Sequence, residues 1–355
     1  MWTLSRLYDI VTHRNVKLVE LMVSKGGWLQ QELQQLTQYT LGQWRTSIEH
    51  PICGCRWKSI ENCLKWGANP NHVFHDGVSL MAGVIMNSGE YPHKRYREVK
   101  VLLAHGAGTG CLASLPDKDS MLHLACLYST PKIVQALLEA GADPNLRDGR
   151  NRMPIHRLLE RSERRSRDGD NLLDILLADP NIRIDERDGN GRTPLHLAAG
   201  HGAYLSMAMK FAKRVVHLPN KVDINSQGRG RNTPLCHAIR VSDCDMVRLF
   251  LAQDRLDPNL GPANAFPLLL AVGFGKQPIL VLLLKSKRLD VNKQASRGET
   301  ALLRAIRIGN REAVKLLARA GADPDIERFD GVTARQAALD ARICVRWRAC
   351  PARTR

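Results

Sequence analysis

One phrase is restated along this chain, most clearly as Thr193-Pro194-Leu195-His196-Leu197-Ala198-Ala199 and again as Met121-Leu122-His123-Leu124-Ala125. With its Leu or Ile as a register mark, copies fall at Leu80, Leu122, Ile155, Leu195, Leu235, Leu268 and Leu302, separated by 42, 33, 40, 40, 33 and 34 residues. The base period is therefore about 33, with insertions of about seven to nine residues in three units. Such a period constrains the fold more than any other feature. Each copy is too small to bury its apolar face alone, so the copies must stack on one another. A length of 355 residues would otherwise indicate two or three globular domains.

A second phrase stands in constant register behind the first. Gly141-Ala142-Asp143-Pro144-Asn145 follows Leu122, and Gly321-Ala322-Asp323-Pro324-Asp325 follows Leu302, each by 19 residues. Degenerate versions occur at Gly67 to Asn71, Gly106 to Gly108, Asp257 to Asn259 and Asp290 to Asn292. Both phrases have mechanical readings. Thr before Pro caps a helix start, and Pro at the first helical position forfeits no hydrogen bond. A second helical pattern follows, as in Ile133, Val134, Leu137 and Leu138, and Gly141 ends it with a residue tolerant of positive φ.

A period near 33 carrying Thr-Pro-Leu-His resembles the ankyrin repeat, and the resemblance covers nearly the whole chain. It implies an all-α ankyrin-repeat solenoid of helix-turn-helix units with short projecting finger turns, about nine or ten units including caps. Asp148-Gly149, Asp188-Gly189 and Asp330-Gly331 are the expected finger turns. Residues 1–71 are read as an N-terminal cap and degenerate repeats: Leu7 precedes Gly26 at the repeat spacing, and an eroded unit is placed near Leu41. The array is expected over 72–340, its last helix opening at Asp330-Gly331-Val332-Thr333-Ala334, with a basic tail over 341–355.

Composition narrows the setting. With 44% hydrophobic and 25% charged residues the chain falls in the folded range, and its +17 net charge favours acidic surfaces as neighbours. Nine scattered cysteines, an odd number, point to reduced thiols and an intracellular location. Met1 to Gly26 interleaves charges with its apolar residues and lacks a secretory pattern. The apolar run Ile279 to Leu284 is far short of the roughly 20 residues that span a bilayer. A soluble protein of the nucleus or cytoplasm is expected, the basic tail favouring the nucleus.

Several groups carry atoms capable of chemistry. His123, His156 and His196 share one register, but successive copies stand a repeat apart, too far to share a metal; the family resemblance makes this a structural hydrogen-bonding position. His50, Cys53, Cys55 and Cys63 carry ligand atoms but not the usual paired Cys-x-x-Cys spacing of zinc sites. Gly189-Asn190-Gly191, Gly228-Arg229-Gly230 and the glycines at 106, 108 and 110 sit where turns are expected and complete no phosphate-binding fingerprint. Motifs of serine hydrolases, zinc proteases and Walker-type nucleotide sites are missing from the sequence. The charged insertion from Arg157 to Asp168, containing the kinase-like Arg164-Arg165-Ser166, reads as an exposed loop. Arg342, Arg346, Arg348, Arg353 and Arg355 around Trp347 read as a solvated terminus.

No catalytic, cofactor or metal residue is therefore assigned. The resemblance implies a scaffold for protein–protein interaction, a regulatory adaptor or transcription coregulator; the alternative is the substrate-recognition subunit of a ubiquitin ligase, with a degenerate F-box between Leu4 and Leu41. With six each of Phe, Tyr and Trp and no stacking array, direct nucleic-acid binding is poorly supported. A small-molecule substrate and a membrane are not expected. The candidate partner-binding residues are the finger arginines Arg147, Arg150, Arg187, Arg229, Arg231 and Arg297, which form a positive ridge for an acidic protein if equivalent fingers are neighbours.

Overall fold

A computed structural model describes residues 60–61, 64–65, 69–73, 77–86, 92–110, 117–160, 169–201, 206–218 and 221–341. The expectations for the cap and eroded unit, the F-box, the His50/Cys53/Cys55/Cys63 set, the 161–168 part of the insertion and the tail after 341 lie outside these residues.

The chain divides into two compact units, Met1–Ile182 and Arg183–Arg355. In the first, α1 (Leu80–Met86), α3 (Met121–Tyr128) and α5 (Pro154–Leu159) are the first helices of successive repeats, and α2 (Pro92–Ala104), α4 (Pro131–Glu139) and α6 (Gly169–Ala178) the second. α1 packs on α3 and α3 on α5, while α2 packs on α4 and α4 on α6. In the second unit α7 (Pro194–Gly200), α9 (Pro234–Arg240), α11 (Pro267–Gly273), α13 (Ala301–Arg307) and α15 (Ala334–Asp340) make one row. α8 (Ser206–Val215), α10 (Cys244–Leu251), α12 (Gln277–Leu284) and α14 (Arg311–Arg319) make the other. Among the described residues the one extended pairing is an isolated bridge between Val73 and Ser79.

The repeat phrase builds these rows as its chemistry dictates. Leu122, Ile155, Leu195, Leu268 and Leu302 are fully buried between first helices, where each contributes about 1.5–3 kcal/mol by leaving water. Ile133, Val134 and Leu137 bury one face of α4, and Leu138 is half-buried beside them. Gly141 adopts φ +84° after α4, its amide bonding the Leu138 carbonyl, so the stop residue is used as expected. Hydroxyl capping is less uniform. Thr233, Thr300 and Thr333 accept the amides of Cys236, Leu303 and Gln336, whereas the Thr193 hydroxyl lies 2.8 Å from His196 Nδ1.

The histidine of the phrase does the rest of this work. Its Nδ1 accepts the backbone amide three residues back: Ser120 for His123 at 3.2 Å, Met153 for His156 at 3.2 Å, Thr193 for His196 at 3.1 Å. With Nδ1 accepting, the proton sits on Nε2, which His123 donates to the Arg152 carbonyl at 2.9 Å and His196 to the Asn232 carbonyl at 3.0 Å. The rings of His123 and His196 thus tie their own helix starts to the next finger. Burial, outweighing the bond to Asn232, holds the His196 imidazole down to about 4, and burial likewise lowers His123. Cys126, Cys236 and Cys244 are free thiols, the first two buried.

Candidate functional site

The fingers are short hairpins closed by backbone bonds. Asp148, Asp188, Gly228, Ala295 and Arg328 each donate an amide to the carbonyl four residues on, at 2.8–3.1 Å. Their carbonyls in turn accept the amide three residues on. In the two Asp-Gly fingers it is the aspartate that organises the turn. Buried Asp188 accepts the amides of Asn190 and Arg192 through Oδ1 at 2.8 Å, and the Arg192 guanidinium through Oδ2 at 2.9 Å. Asp148 does the same with Arg150 and Arg152. Asp330-Gly331 is used differently: the turn runs from Arg328 to Gly331, so this pair closes the finger and does not open it. In the second unit the Arg229 amide reaches the Asn190 carbonyl and the Phe329 amide the Arg297 carbonyl, so successive fingers touch.

The six finger arginines have different surroundings. Arg187 spans to the next finger, donating to the Gln227 carbonyl and the Ser226 hydroxyl, and also to Gly191 of its own. Arg150 pairs with Asp117 at 2.8 Å, Arg147 donates to the Asn151 carbonyl, and Arg231 to Gln227 Oε1 at 3.2 Å. The exposed side chains of Arg229 and Arg297 have no hydrogen bond or ion pair among the described residues. Arg147 and Arg150 belong to the first unit and the other four to the second.

Beside the fingers, the first helices carry charge at fixed offsets from the mark, and sequence reading missed this pattern. Three before the mark stand Arg152, Arg192, Asn232 and Glu299; two after stand Arg157, Leu197, His237 and Arg304; five after stand Glu160, Gly200, Arg240 and Arg307. In the first unit these charges are mutually paired. Arg152 bonds Asp148, Glu160 and Asp117 at 2.7, 3.0 and 2.9 Å, and Arg157 bonds Asp119 at 2.8 Å. Burial alone would raise the Asp117 carboxyl, but Arg152, Arg150 and Arg157 outweigh it and hold the group below its ordinary value. Arg157 and Glu160 are thus not part of an exposed insertion. Arg157 lies within α5, its side chain 12% exposed, because helix geometry turns it toward the buried Asp119 of the preceding repeat. In the second unit Glu299 takes Arg304 at 2.6 Å and Arg307 at 2.8 Å.

A further ladder comes from the Asn of the second phrase. Asn225 accepts the Asp257 amide through Oδ1 and donates through Nδ2 to the Arg255 carbonyl; Asn259 repeats this with Asp290 and Arg288. Asn145 donates to the Asn181 carbonyl and Asn292 accepts the Asp323 amide. The signal was present in the sequence as Asn recurring in one register, but its role depends on the neighbouring repeat.

Comparison with known proteins agrees with this geometry. Models described as ankyrin repeats match residues 165–261 (three copies), 268–318 (many copies) and 117–149, together just over half of the chain. Rabankyrin-5 of Mus musculus is 31% identical over 188 residues, 52% of this chain and 15% of its own length. Neurogenic locus notch homolog protein 4 of Homo sapiens is 36% identical over 96 residues, 27% of this chain and 4% of its own. The chain therefore spans only a small part of either relative. The crystal structure of the ankyrin repeat domain of Bcl-3 aligns over 74% of this chain and 95% of that one, at 21% identity and a TM-score of 0.45. No described helix is long and apolar enough to cross a membrane. Register phrases, paired helix rows, hairpin fingers and matching repeat models converge on one assignment: the chain belongs to the ankyrin-repeat family.

Proposed function

We propose that this chain is a non-enzymatic scaffold, a regulatory adaptor or transcription coregulator of the nucleus or cytoplasm, that binds an acidic protein through its finger edge. Ankyrin repeats mediate protein–protein interaction, and the choice of an acidic partner rests on one observation. Arg229 and Arg297 stand exposed on fingers of the second unit, with no side-chain partner among the described residues, in a chain of net charge +17. Such charges steer an oppositely charged partner and are screened beyond about 8–10 Å at physiological salt. Arg187, by contrast, has a structural use in joining two fingers, and Arg150 is shared with Asp117.

The test is association kinetics with a partner obtained by affinity purification of the intact chain. Reversing Arg229 and Arg297 to Glu is expected to slow association by about tenfold or more at low salt, with the unfolding curve unchanged. A partner that associates with this variant as fast as with the parent, at low and high salt, removes the finger edge from the reading. Co-purification of a cullin would instead favour a ubiquitin-ligase receptor.

A further inference from the structure

The charged offsets of the first helices contain one set that is not paired. At the last full repeat, Glu299 receives both Arg304 and Arg307, and in the first unit Arg152, Arg157 and Glu160 meet Asp117, Asp119 and Asp148. At the repeat between Thr233 and Arg240, the position of Glu299 is held by Asn232. Arg240, the counterpart of Arg307, is exposed and its guanidinium donates only to the neutral Asn232 Oδ1 at 3.2 Å. No carboxylate among the described residues bonds it.

Two further groups crowd the same place. His237, the counterpart of Arg304, packs edge-on against His196 with ring centroids 5.7 Å apart, and its Nδ1 lies 3.5 Å from where a side chain at Gly200 would begin. The absence of a side chain at position 200 lets the imidazole pack close to the preceding helix. Arg192, from the preceding finger, lies within Coulombic reach of His237 and is itself paired with Asp188 at 2.8 Å. Burial, then Arg240 and Arg192, keeps the imidazole below its ordinary value. The place thus has one guanidinium that bonds no carboxylate, that of Arg240, and a half-buried ring, with a neutral amide where the equivalent repeat supplies an acid.

We infer that Arg240 and His237, grouped beside Asn232 and Gly200, form a receptor for a carboxylate side chain of a partner protein, a Glu or Asp occupying the place that Glu299 fills in its own repeat. This deepens the reading of an acidic protein partner and rests on it. A charge-assisted pair with a guanidinium that has no competing acid gains more than one with a guanidinium already neutralised. Asn232 closes the finger that carries Arg229, whereas Arg240 lies on α9, so the Arg240 variant separates this site from the finger tips of Arg229 and Arg297.

The probe is fluorescein-labelled hexaglutamate, titrated by anisotropy at low salt against the full chain. Asn232→Glu, which installs the missing acid, and Arg240→Gln are each expected to weaken binding about tenfold, while Glu299→Gln, which frees Arg304 and Arg307, strengthens it. Arg319→Gln, an exposed loss of the same charge, is expected to leave it unchanged. Helical circular dichroism and melting curves check each fold, and Arg240→Gln carries the test should Asn232→Glu fail to fold. Equal weakening by Arg319→Gln would reduce the effect to net charge and overturn the inference, as would absence of hexaglutamate binding to the parent. Tighter, Arg240-dependent binding of oligothymidylate would overturn the assignment to a protein carboxylate. A captured partner insensitive to Arg229 and Arg297 but lost on Asn232→Glu would remove the finger edge and leave this receptor standing; the reverse pattern would remove the receptor alone.

Discussion

Asp185 accepts the backbone amide of Asp223 through Oδ2 at 3.0 Å and leaves its Oδ1 buried with no hydrogen-bond partner among the described residues. Asp185 stands ten residues before its mark, Leu195, where Asn145, Asn225 and Asn292 stand before theirs. In the complete rungs, Nδ2 donates to the carbonyl two residues before the bonded amide, as Asn225 does to Arg255. For Asp185 that carbonyl is Lys221, and a carboxylate has nothing to donate to it.

Asp185→Asn is therefore expected to stabilise the second unit by about 1 kcal/mol at pH 7, by completing the rung and relieving the unpaired oxygen. Burial, together with the nearby Asp223, raises the Asp185 carboxyl above its ordinary value despite the amide bond. A raised acid favours folding only where it is protonated, so the parent pays its penalty above the folded pKa. The advantage of Asn should be full near neutrality and shrink as pH falls toward 3.8, where the protonated acid can itself donate. Urea unfolding of parent and variant at pH 7 and pH 4 measures this. A variant no more stable than the parent at pH 7 would show that the rung gains nothing from Nδ2.

His196 titrates in the opposite sense. Its folded value of about 4 lies below the ordinary 6.5, so the unfolded chain takes up the proton first as pH falls. Stability from this residue is intact above pH 6.5 and declines between pH 6.5 and 4, by about 3 kcal/mol in total. His196→Gln cannot titrate, so it is expected to be less stable than the parent at pH 7 but to lose less between pH 7 and 4.5. Parallel losses in the two proteins would mean that this ring is not the titrating group.

Arg157→Ala is expected to cost about 3 kcal/mol, because it strips buried Asp119 of its guanidinium partner. That places it beside Leu195→Ala, for which about 2–5 kcal/mol is expected from the lost core contact and the cavity left behind. The exposed Arg319→Ala should stay within about 0.5 kcal/mol. Chemical denaturation of the three variants gives the comparison. An Arg157→Ala protein as stable as Arg319→Ala would return this residue to the solvated loop that the sequence alone indicates.

The sequence by itself determined the repeating unit, because a period, a helix-opening Thr-Pro and a helix-ending Gly act over a few residues and leave their marks in local order. The fully buried Leu122, Ile155 and Leu195 and the positive φ of Gly141 were legible for that reason. What tertiary structure decided is the meaning of residues whose partners lie a whole repeat away. Arg157 reads as part of a charged run until Asp119 of the preceding repeat is brought to 2.8 Å, and Arg187 reads as a free finger charge until Gln227 and Ser226 of the next finger meet it. Asn232 is unremarkable until Glu299, at the same offset in its own repeat, is found to neutralise two guanidiniums. The reason is physical: a charge is defined by what surrounds it, and in a stacked fold half of those surroundings come from a neighbour some 33 residues distant in the chain.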